Sequence, residues 1–325
     1  MKKVLITGGC GFIGSNFIKG FIQSHPEWKI INFDKLTYCG NRAYTKELEG
    51  NQRYEFVHGD ICDGGVVNMV VEDVEAIIHF AAETHVDRSI DSADDFLHTN
   101  IFGTRTLLES AKRFDIKRFI HISSDEVYGS IEKGFVSEDS PLQPNNPYSA
   151  SKAASDLLVR AYWRTYQMPL VIVRSSNNYG PNQFPEKVIP LFITNLLEGK
   201  KVPLYAKGEN RRDWIFVQDN CRAIEMVFDK GEPGGVYNIP GGQETSNVDL
   251  TKRILKLLGK SEDMIQEVND RPGHDFRYAM EGKKIQNLGF RPQYDLNQGL
   301  ELTVQWYREN IQWWQPLKRD KFTVK

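Results

Sequence analysis

Tyr148 and Lys152 place a phenol and an ammonium four residues apart, on one face of any helix that carries them. A phenol is a poor base at neutral pH, but a nearby cation favours its phenolate, and the pair then suits removal of a hydroxyl proton. Upstream, Ser124, Asp125 and Glu126 stand in a row. Two adjacent carboxylates are ordinarily a solvated loop. At the carboxyl end of a strand they become candidates for an acid and a base with separated pKa values. A third cluster, Gly8-Gly9-Cys10-Gly11-Phe12-Ile13-Gly14, has the pattern Gly-x-x-Gly-x-x-Gly. Gly8 suits a tight turn, Gly11 close approach of the backbone to a pyrophosphate, and Gly14 close packing of helix on strand. Asp34, 20 residues after Gly14, suits both hydroxyls of a ribose and would repel a 2′-phosphate, which favours NAD over NADP. Asp60 suits either the adenine edge or the cap of a helix over Cys62–Val71.

These groups need a frame. Continuous apolar runs at Val4–Thr7, Ile30–Asp34, Tyr54–His58, Ala76–Ala81, Phe119–Ser123 and Leu170–Arg174 predict parallel strands covered on both faces. Helical patterns lie between them at Phe12–Ser24, about Asp91–Phe114 and about Tyr148–Gln167; the last carries Ala150, Ala153, Ala154, Leu157, Leu158, Ala161 and Tyr162 on one stripe. The alternation predicts an α/β fold with a doubly wound, Rossmann-like parallel sheet. After about Ser176 prolines and glycines interrupt the rhythm, with helices readable at about Asn247–Leu258 and Asn297–Trp313. Residues 1–176 are therefore expected to form the dinucleotide-binding domain. Residues 177–325 form a smaller C-terminal α/β domain for substrate, with segments near 213–240 and 294–314 returning to the sheet. Lys318–Lys325 reads as a frayed basic tail.

The 325 residues carry 41 basic and 43 acidic side chains, a net charge of −2, which leaves no electrostatic footprint for nucleic acid. No apolar run approaches the roughly 20 residues of a membrane span, and the glycines from Gly8 to Gly14 break the only run that could start a signal peptide. Cys10, Cys39, Cys62 and Cys221 are scattered, so neither a metal site nor a disulfide framework is expected, and reduced thiols in a cytoplasm fit best.

The glycine pattern followed by Tyr148-Ser149-Ala150-Ser151-Lys152 resembles the extended short-chain dehydrogenase/reductase family. Within it, the chain resembles the dTDP-glucose 4,6-dehydratases over nearly its whole length. The resemblance rests on Asp34 to Tyr38, Ala81 to Ser89, Ser124 to Gly129, Ser176 to Pro181, Phe184 to Lys187, Arg212 to Trp214 and Asp270 to Asp275. Ser124 stands where that family usually has threonine, keeping the hydroxyl, and Phe276 stands where arginine is common. The resemblance implies Tyr148 as the base of an oxidation at C4, with Ser124 and Lys152 beside it, Asp125 as the acid and Glu126 as the base of a water elimination. It implies that Phe12, Ile13, Asp34, Lys35, Leu36, Thr37, Asp60, Ile61, Ala81, Ala82, Thr99, Tyr148, Lys152 and Asn178 surround a tightly held NAD. Thr84, Ser124, Asn177, Lys187, Val188, Pro203, Leu204, Tyr205, Arg212, Asn247, Asp270, Arg271, Pro272, Gly273 and His274 would hold dTDP-glucose. Charge gives Lys187, Arg212 and Arg271 a second route to this role, since they could neutralise a diphosphate; taken singly, each is equally an ordinary surface cation.

The implied reaction is redox-neutral. Oxidation at C4 acidifies C5, water leaves from C5 and C6, and reduction at C6 yields a 4-keto-6-deoxy sugar nucleotide, a precursor for deoxysugars such as rhamnose. The nearest competitor, a sugar-nucleotide epimerase, has no use for Asp125 and Glu126. A GDP-mannose dehydratase with an NADP preference sits badly with Asp34. A non-catalytic dinucleotide sensor would have no use for Ser124, Tyr148 and Lys152 together. The two long helices are also expected to join two copies in a homodimer through a four-helix contact.

Overall fold

Seven apolar segments assemble into one all-parallel sheet: β1 (Lys2–Thr7), β2 (Trp28–Asp34), β3 (Tyr54–His58), β4 (Ala76–His79), β5 (Arg118–Ser124), β6 (Leu170–Ser175) and β7 (Val236–Ile239). Their order in the sheet is β7-β6-β5-β4-β1-β2-β3. The chain winds outward from β1 to β3, then returns to start again at β4, so the sheet switches direction between β1 and β4. At such a switch the loops diverge and leave a crevice at the strands' carboxyl ends. The structure, a computed structural model, describes residues 1–270 and 273–319.

The period of two along each strand divides the core. Val4, Ile6, Ile30, Ile78, Ile120 and Val173 face one side, against α1 (Phe12–Ser24). Leu5, Ile31, Ile77, Phe119 and Ile172 face the other, against the helix Gly64–Val71, the helix Thr104–Arg113 and the helix that carries Tyr148. That helix, α2 (Pro147–Tyr166), starts where Asn146 accepts the Ser149 amide at 2.9 Å and Pro147 takes the first turn; it ends at Gln167 in a left-handed conformation, φ 54°.

Four expectations from the sequence need correction. The helix expected over Asp91–Phe114 is a series: Val86–Asp91, Asp94–Phe96, a wide π-type turn at Leu97–Gly103, then Thr104–Arg113. The wide turn coincides with Asn100, whose buried side chain accepts from the Glu83 amide and donates to the Glu83 carbonyl and to Ser151. The helix expected from Cys62 starts at Gly64, capped by Asp63 rather than Asp60. Residues near 213–240 do reach the sheet, as β7 and as the helix Val217–Lys230 against α1. Those near 294–314 do not: Leu296, Leu300, Val304, Tyr307 and Trp314 form a third core with Ile189, Phe192, Ile254 and Trp214, because their apolar stripe meets the helices Val188–Leu197 and Asn247–Leu258. Lastly, Lys318 is not frayed. It lies in the helix Ile311–Arg319 and donates to Glu198 and Asn195 at 2.9 and 2.7 Å; the rest of the expected tail, 320–325, lies outside the described residues.

Candidate active site

The crevice at the switch point begins at Gly8, whose φ of 71° suits glycine and where an added Cβ would stand 2.6 Å from the Ala81 amide nitrogen. Gly14 is equally closed, its Cβ position 2.4 Å from the Gly8 carbonyl oxygen. Gly11 is different: only the Gly8 carbonyl comes within 4 Å of its Cβ position, at 3.2 Å. It caps α1 without any side-chain hydrogen bond, and the first turn holds no acidic residue. The N-terminal amides of α1 are thus left to an outside anion. Asp34, at the end of β2, is buried and accepts from the Cys10 amide at 2.9 Å and the Leu36 amide at 2.8 Å; burial raises its carboxyl above the ordinary range. Asp60 pairs with Lys35 at 2.7 Å.

One cleft gathers Gly8, Gly11, Phe12, Ile13 and Gly14 with Asp34, Lys35, Thr37, Asp60, Ile61, Ala81, Ala82 and Thr99. Its far wall is Thr84, Ser124, Asp125, Glu126, Tyr148, Lys152, Asn177, Asn178 and Lys187. Leu36 lies in the chain between Lys35 and Thr37, and Val188 follows Lys187. The Asn178 Oδ1 and Asn177 Oδ1 atoms are buried acceptors with no partner among the described residues, while Asn178 Nδ2 donates to the Ser176 carbonyl at 3.0 Å. An uncapped helix terminus at one end and orphaned amide oxygens at the other fit a dinucleotide with a hydrogen-bond donor at its second ring.

The carboxylates stand where β5 ends, in the tight turn Asp125–Tyr128, with Ser124 as its cap. Ser124 Oγ donates to Asp125 Oδ1 at 3.1 Å and accepts from the Glu126 amide at 3.3 Å. Asp125 is 3% exposed and its Oδ2 has no hydrogen-bond partner among the described residues. Burial first, and the neighbouring Glu126 charge second, hold its carboxyl well above the ordinary carboxylate range, which favours its protonated form. Glu126 accepts from Ser149 Oγ at 3.2 Å. The adjacent carboxyls thus sit in different surroundings: Asp125 is buried, while Glu126 is half-buried and faces a hydroxyl.

Lys152 is buried and donates to the Ile122 carbonyl at 2.7 Å; burial pulls its ammonium down to about 8. The lowering of the Tyr148 phenol expected from Lys152 does not prevail in this state. Burial leads in raising it, Glu126 adds to the effect, and of the leading influences only Ser124 opposes.

The remaining expected substrate residues form a second cluster on the smaller lobe. Pro203, Leu204 and Tyr205 lie in the strand Val202–Tyr205, paired with Ile265–Val268. Asn247 opens its helix beside the Thr245–Ser246 strand, which pairs with Arg211–Arg212. His274 and Asp270 are joined at 2.6 Å, the His274 ring lies 6.3 Å from that of Tyr205, and Gly273 has a φ of 64°. Arg271 and Pro272 lie outside the described residues. Arg212 connects the two groups: it donates to the Asp275 carbonyl at 2.8 Å, lies over the Tyr278 ring at 4.4 Å, and its charge acts on Asp125. The sequence reading missed Glu186, a buried carboxylate in the cleft wall that accepts from Tyr38 at 2.6 Å with Arg88 Nε at 3.6 Å. Its only signal was membership of the Phe184-to-Lys187 stretch.

A dinucleotide cleft at the switch of a doubly wound sheet, facing a Ser–Tyr–Lys group, defines an extended short-chain dehydrogenase/reductase. A family model described as GDP-mannose 4,6 dehydratase matches residues 5–303. A dTDP-glucose 4,6-dehydratase of Streptomyces niveus is 51% identical over 97% of this chain and 96% of its own. The crystal structure of DesIV, a dTDP-glucose 4,6-dehydratase from Streptomyces venezuelae with NAD bound, superposes with a TM-score of 0.95 at 50% identity, covering 97% of this chain and 99% of that one. That of the Bacillus anthracis dTDP-glucose 4,6-dehydratase in complex with NAD has a TM-score of 0.91 at 48% identity, covering 98% and 100%. The chain belongs to the dTDP-glucose 4,6-dehydratase family.

Proposed function

We propose that this chain converts dTDP-glucose to dTDP-4-keto-6-deoxyglucose and water, as a hydro-lyase that keeps NAD bound throughout. The observation that carries this reading is the carboxyl pair, with Asp125 buried beside Glu126, its carboxyl held well above the ordinary range, and both in the wall that holds Tyr148. Gly8, Gly11, Gly14 and Asp34 would hold the dinucleotide, and Asn178 its second ring. Bound NAD supplies the hydride acceptor for oxidation at C4 and the donor for reduction at C6, ending each turnover as it began.

Tyr148 takes the proton of the C4 hydroxyl, with Ser124 positioning that hydroxyl and Lys152, charged below about pH 8, stabilising the phenolate. The ketone acidifies the C5 hydrogen, which Glu126 removes. Asp125 gives its proton to the C6 hydroxyl, which departs as water, and Glu126 returns its proton to C5 as C6 is reduced. Residues 1–176 would carry the cofactor. The second cluster, with Lys187, Arg212, Asn247 and His274, would carry the nucleoside diphosphate. A homodimer is supported by apolar side chains left in solvent on the expected helices, Leu97, Phe102, Leu157 and Tyr166, which are 41 to 57% exposed. The four cysteines are unpaired, which suits a cytoplasm.

The test is incubation with dTDP-glucose, UDP-glucose and GDP-mannose, read by the alkaline absorbance of the keto-sugar. Only the first should give product. Tyr148→Phe should stop before any cofactor is reduced, whereas Glu126→Gln should reduce bound NAD and stop there. Normal turnover by Glu126→Gln would overturn the mechanism.

A further inference from the structure

Behind the carboxylate turn, four buried side chains from four elements form one continuous polar chain. Asp156 of α2 accepts from Arg174 Nε at 2.8 Å; Arg174 Nη1, from β6, donates to the Tyr128 hydroxyl at 2.6 Å; Tyr128 donates to Asn238 Oδ1, in β7, at 2.8 Å. Asp156, Arg174, Tyr128 and Asn238 are between 0 and 5% exposed. The Arg174 guanidinium also lies over the Tyr128 ring, 4.8 Å from its centroid.

A dry ion pair is a weak source of stability, because loss of hydration offsets much of the attraction and apolar residues of the same volume would fill the space as well. What it provides here is connection. Asp156 follows Tyr148 and Lys152 at steps of four, on the same face of α2. Tyr128 closes the turn that begins with Asp125 and Glu126. The turn's own backbone is closed by the Gly129 amide, which donates to the Glu126 carbonyl at 3.2 Å, and Gly129, with a φ of 74°, then leads the chain into a loop. The two halves of the proposed chemistry, the oxidising pair on α2 and the eliminating pair on the turn, are thus joined directly, where Ser149 of α2 donates to Glu126 at 3.2 Å, and again behind the site through this buried chain.

Resting on the function proposed above, we propose that Asp156, Arg174 and Tyr128 are positioning residues that hold the carboxylate turn in register with the Tyr148–Lys152 helix, so that Glu126 and Asp125 meet C5 and C6 of a sugar already bound for oxidation at C4. Asp156 also favours the charged form of Lys152, the one group among its leading influences that does so. None of the three needs to touch the sugar.

Tyr128→Phe deletes one hydroxyl and keeps the ring. With the holoenzyme and dTDP-glucose, oxidation should proceed while elimination slows, so kcat falls by about 10–100-fold, as expected for a reacting group displaced by part of an ångström. KM should change little, and the absorbance of reduced cofactor should build up during turnover. Tyr237→Phe is the control: it removes another tyrosine hydroxyl of β7, one that accepts from the Glu232 amide at 2.9 Å away from the turn. It should lower Tm without cofactor build-up. Asn238→Ser, which shortens the acceptor for Tyr128 and spares the ion pair, should show the same build-up more weakly and decides the matter if Tyr128→Phe does not fold. Wild-type kcat and no build-up in both Tyr128→Phe and Asn238→Ser would overturn the proposal, as would equal build-up in Tyr237→Phe. Absence of keto-sugar from the wild-type enzyme would instead overturn the function on which it rests.

Discussion

Replacing Lys152 with methionine should abolish turnover and yet leave the protein as stable at neutral pH, or more so. Burial lowers the Lys152 ammonium from 10.5 to about 8, and at about 1.4 kcal/mol per pH unit the buried charge costs the folded state about 3 kcal/mol at pH 7. Methionine has similar length and no charge, so Lys152→Met removes that cost. Against it stands the Ile122 carbonyl, which loses its 2.7 Å donor; an unsatisfied buried acceptor costs about 1–3 kcal/mol. The net change at pH 7 is a gain of about 0–2 kcal/mol by this arithmetic. The pH dependence is more diagnostic. Between about pH 8 and 10.5 the unfolded wild-type chain binds more protons at this lysine than the folded one, so wild-type stability gains on the variant as pH rises across that window. Urea unfolding of both proteins at equal concentration, at pH 7, 9 and 10.5, measures the difference directly, and groups that titrate alike in both cancel. A wild-type advantage growing by about 3 kcal/mol is expected. A difference constant with pH, or a variant several kcal/mol less stable at pH 7, would refute the argument that Lys152 is held as a costly buried cation.

Asp125→Asn should lose at least about a hundredfold in kcat as a missing general acid. It should also raise Tm at alkaline pH, because the folded carboxyl titrates above the unfolded one and its stabilising proton is lost as pH rises. Asp34→Ala should weaken NAD binding by about 1.5–3 kcal/mol, the worth of a charge-assisted hydrogen bond, and reduce discrimination against NADP, both read by calorimetric titration. Gly8→Ala puts a methyl 2.6 Å from the Ala81 amide at a φ of 71° and should yield protein that binds no dinucleotide or does not fold, as seen by cofactor content after purification. Leu157→Glu should shift the sedimentation of the wild type toward the monomer; identical sedimentation of the two would remove these helices from the dimer contact.

Much of the frame was readable because it depends on short-range rules. Val4–Thr7 and Phe119–Ser123 read as strands buried on two sides, and Gly8, Gly11 and Gly14 mark a turn whose geometry few other residues tolerate. Asp34 and Asp125 could be placed at strand ends by counting along apolar runs. The helix expected through Asp91–Phe114 was misread because the wide turn at Leu97–Gly103 depends on a partner distant in sequence, the Asn100 side chain reaching Ser151 and Glu83. For the same reason the segment near 294–314 was expected at the sheet but packs in the third core: a helix's apolar stripe shows that it is buried but not against what.

The sequence by itself determined the classes of group, their order and the local turns, since propensity, periodicity and backbone sterics act within a few residues. Only tertiary structure decided the chemical state of those groups. Asp125 and Glu126 are chemically near-identical neighbours until burial raises the proton affinity of Asp125. Lys152 is an ordinary ammonium until β5 and α2 exclude water from it. Tyr128, Asp156 and Arg174 are separated by up to 46 residues and meet only in the folded core. Proton affinity depends on solvation and on charges nearby in space, and neither is a property of position along the chain.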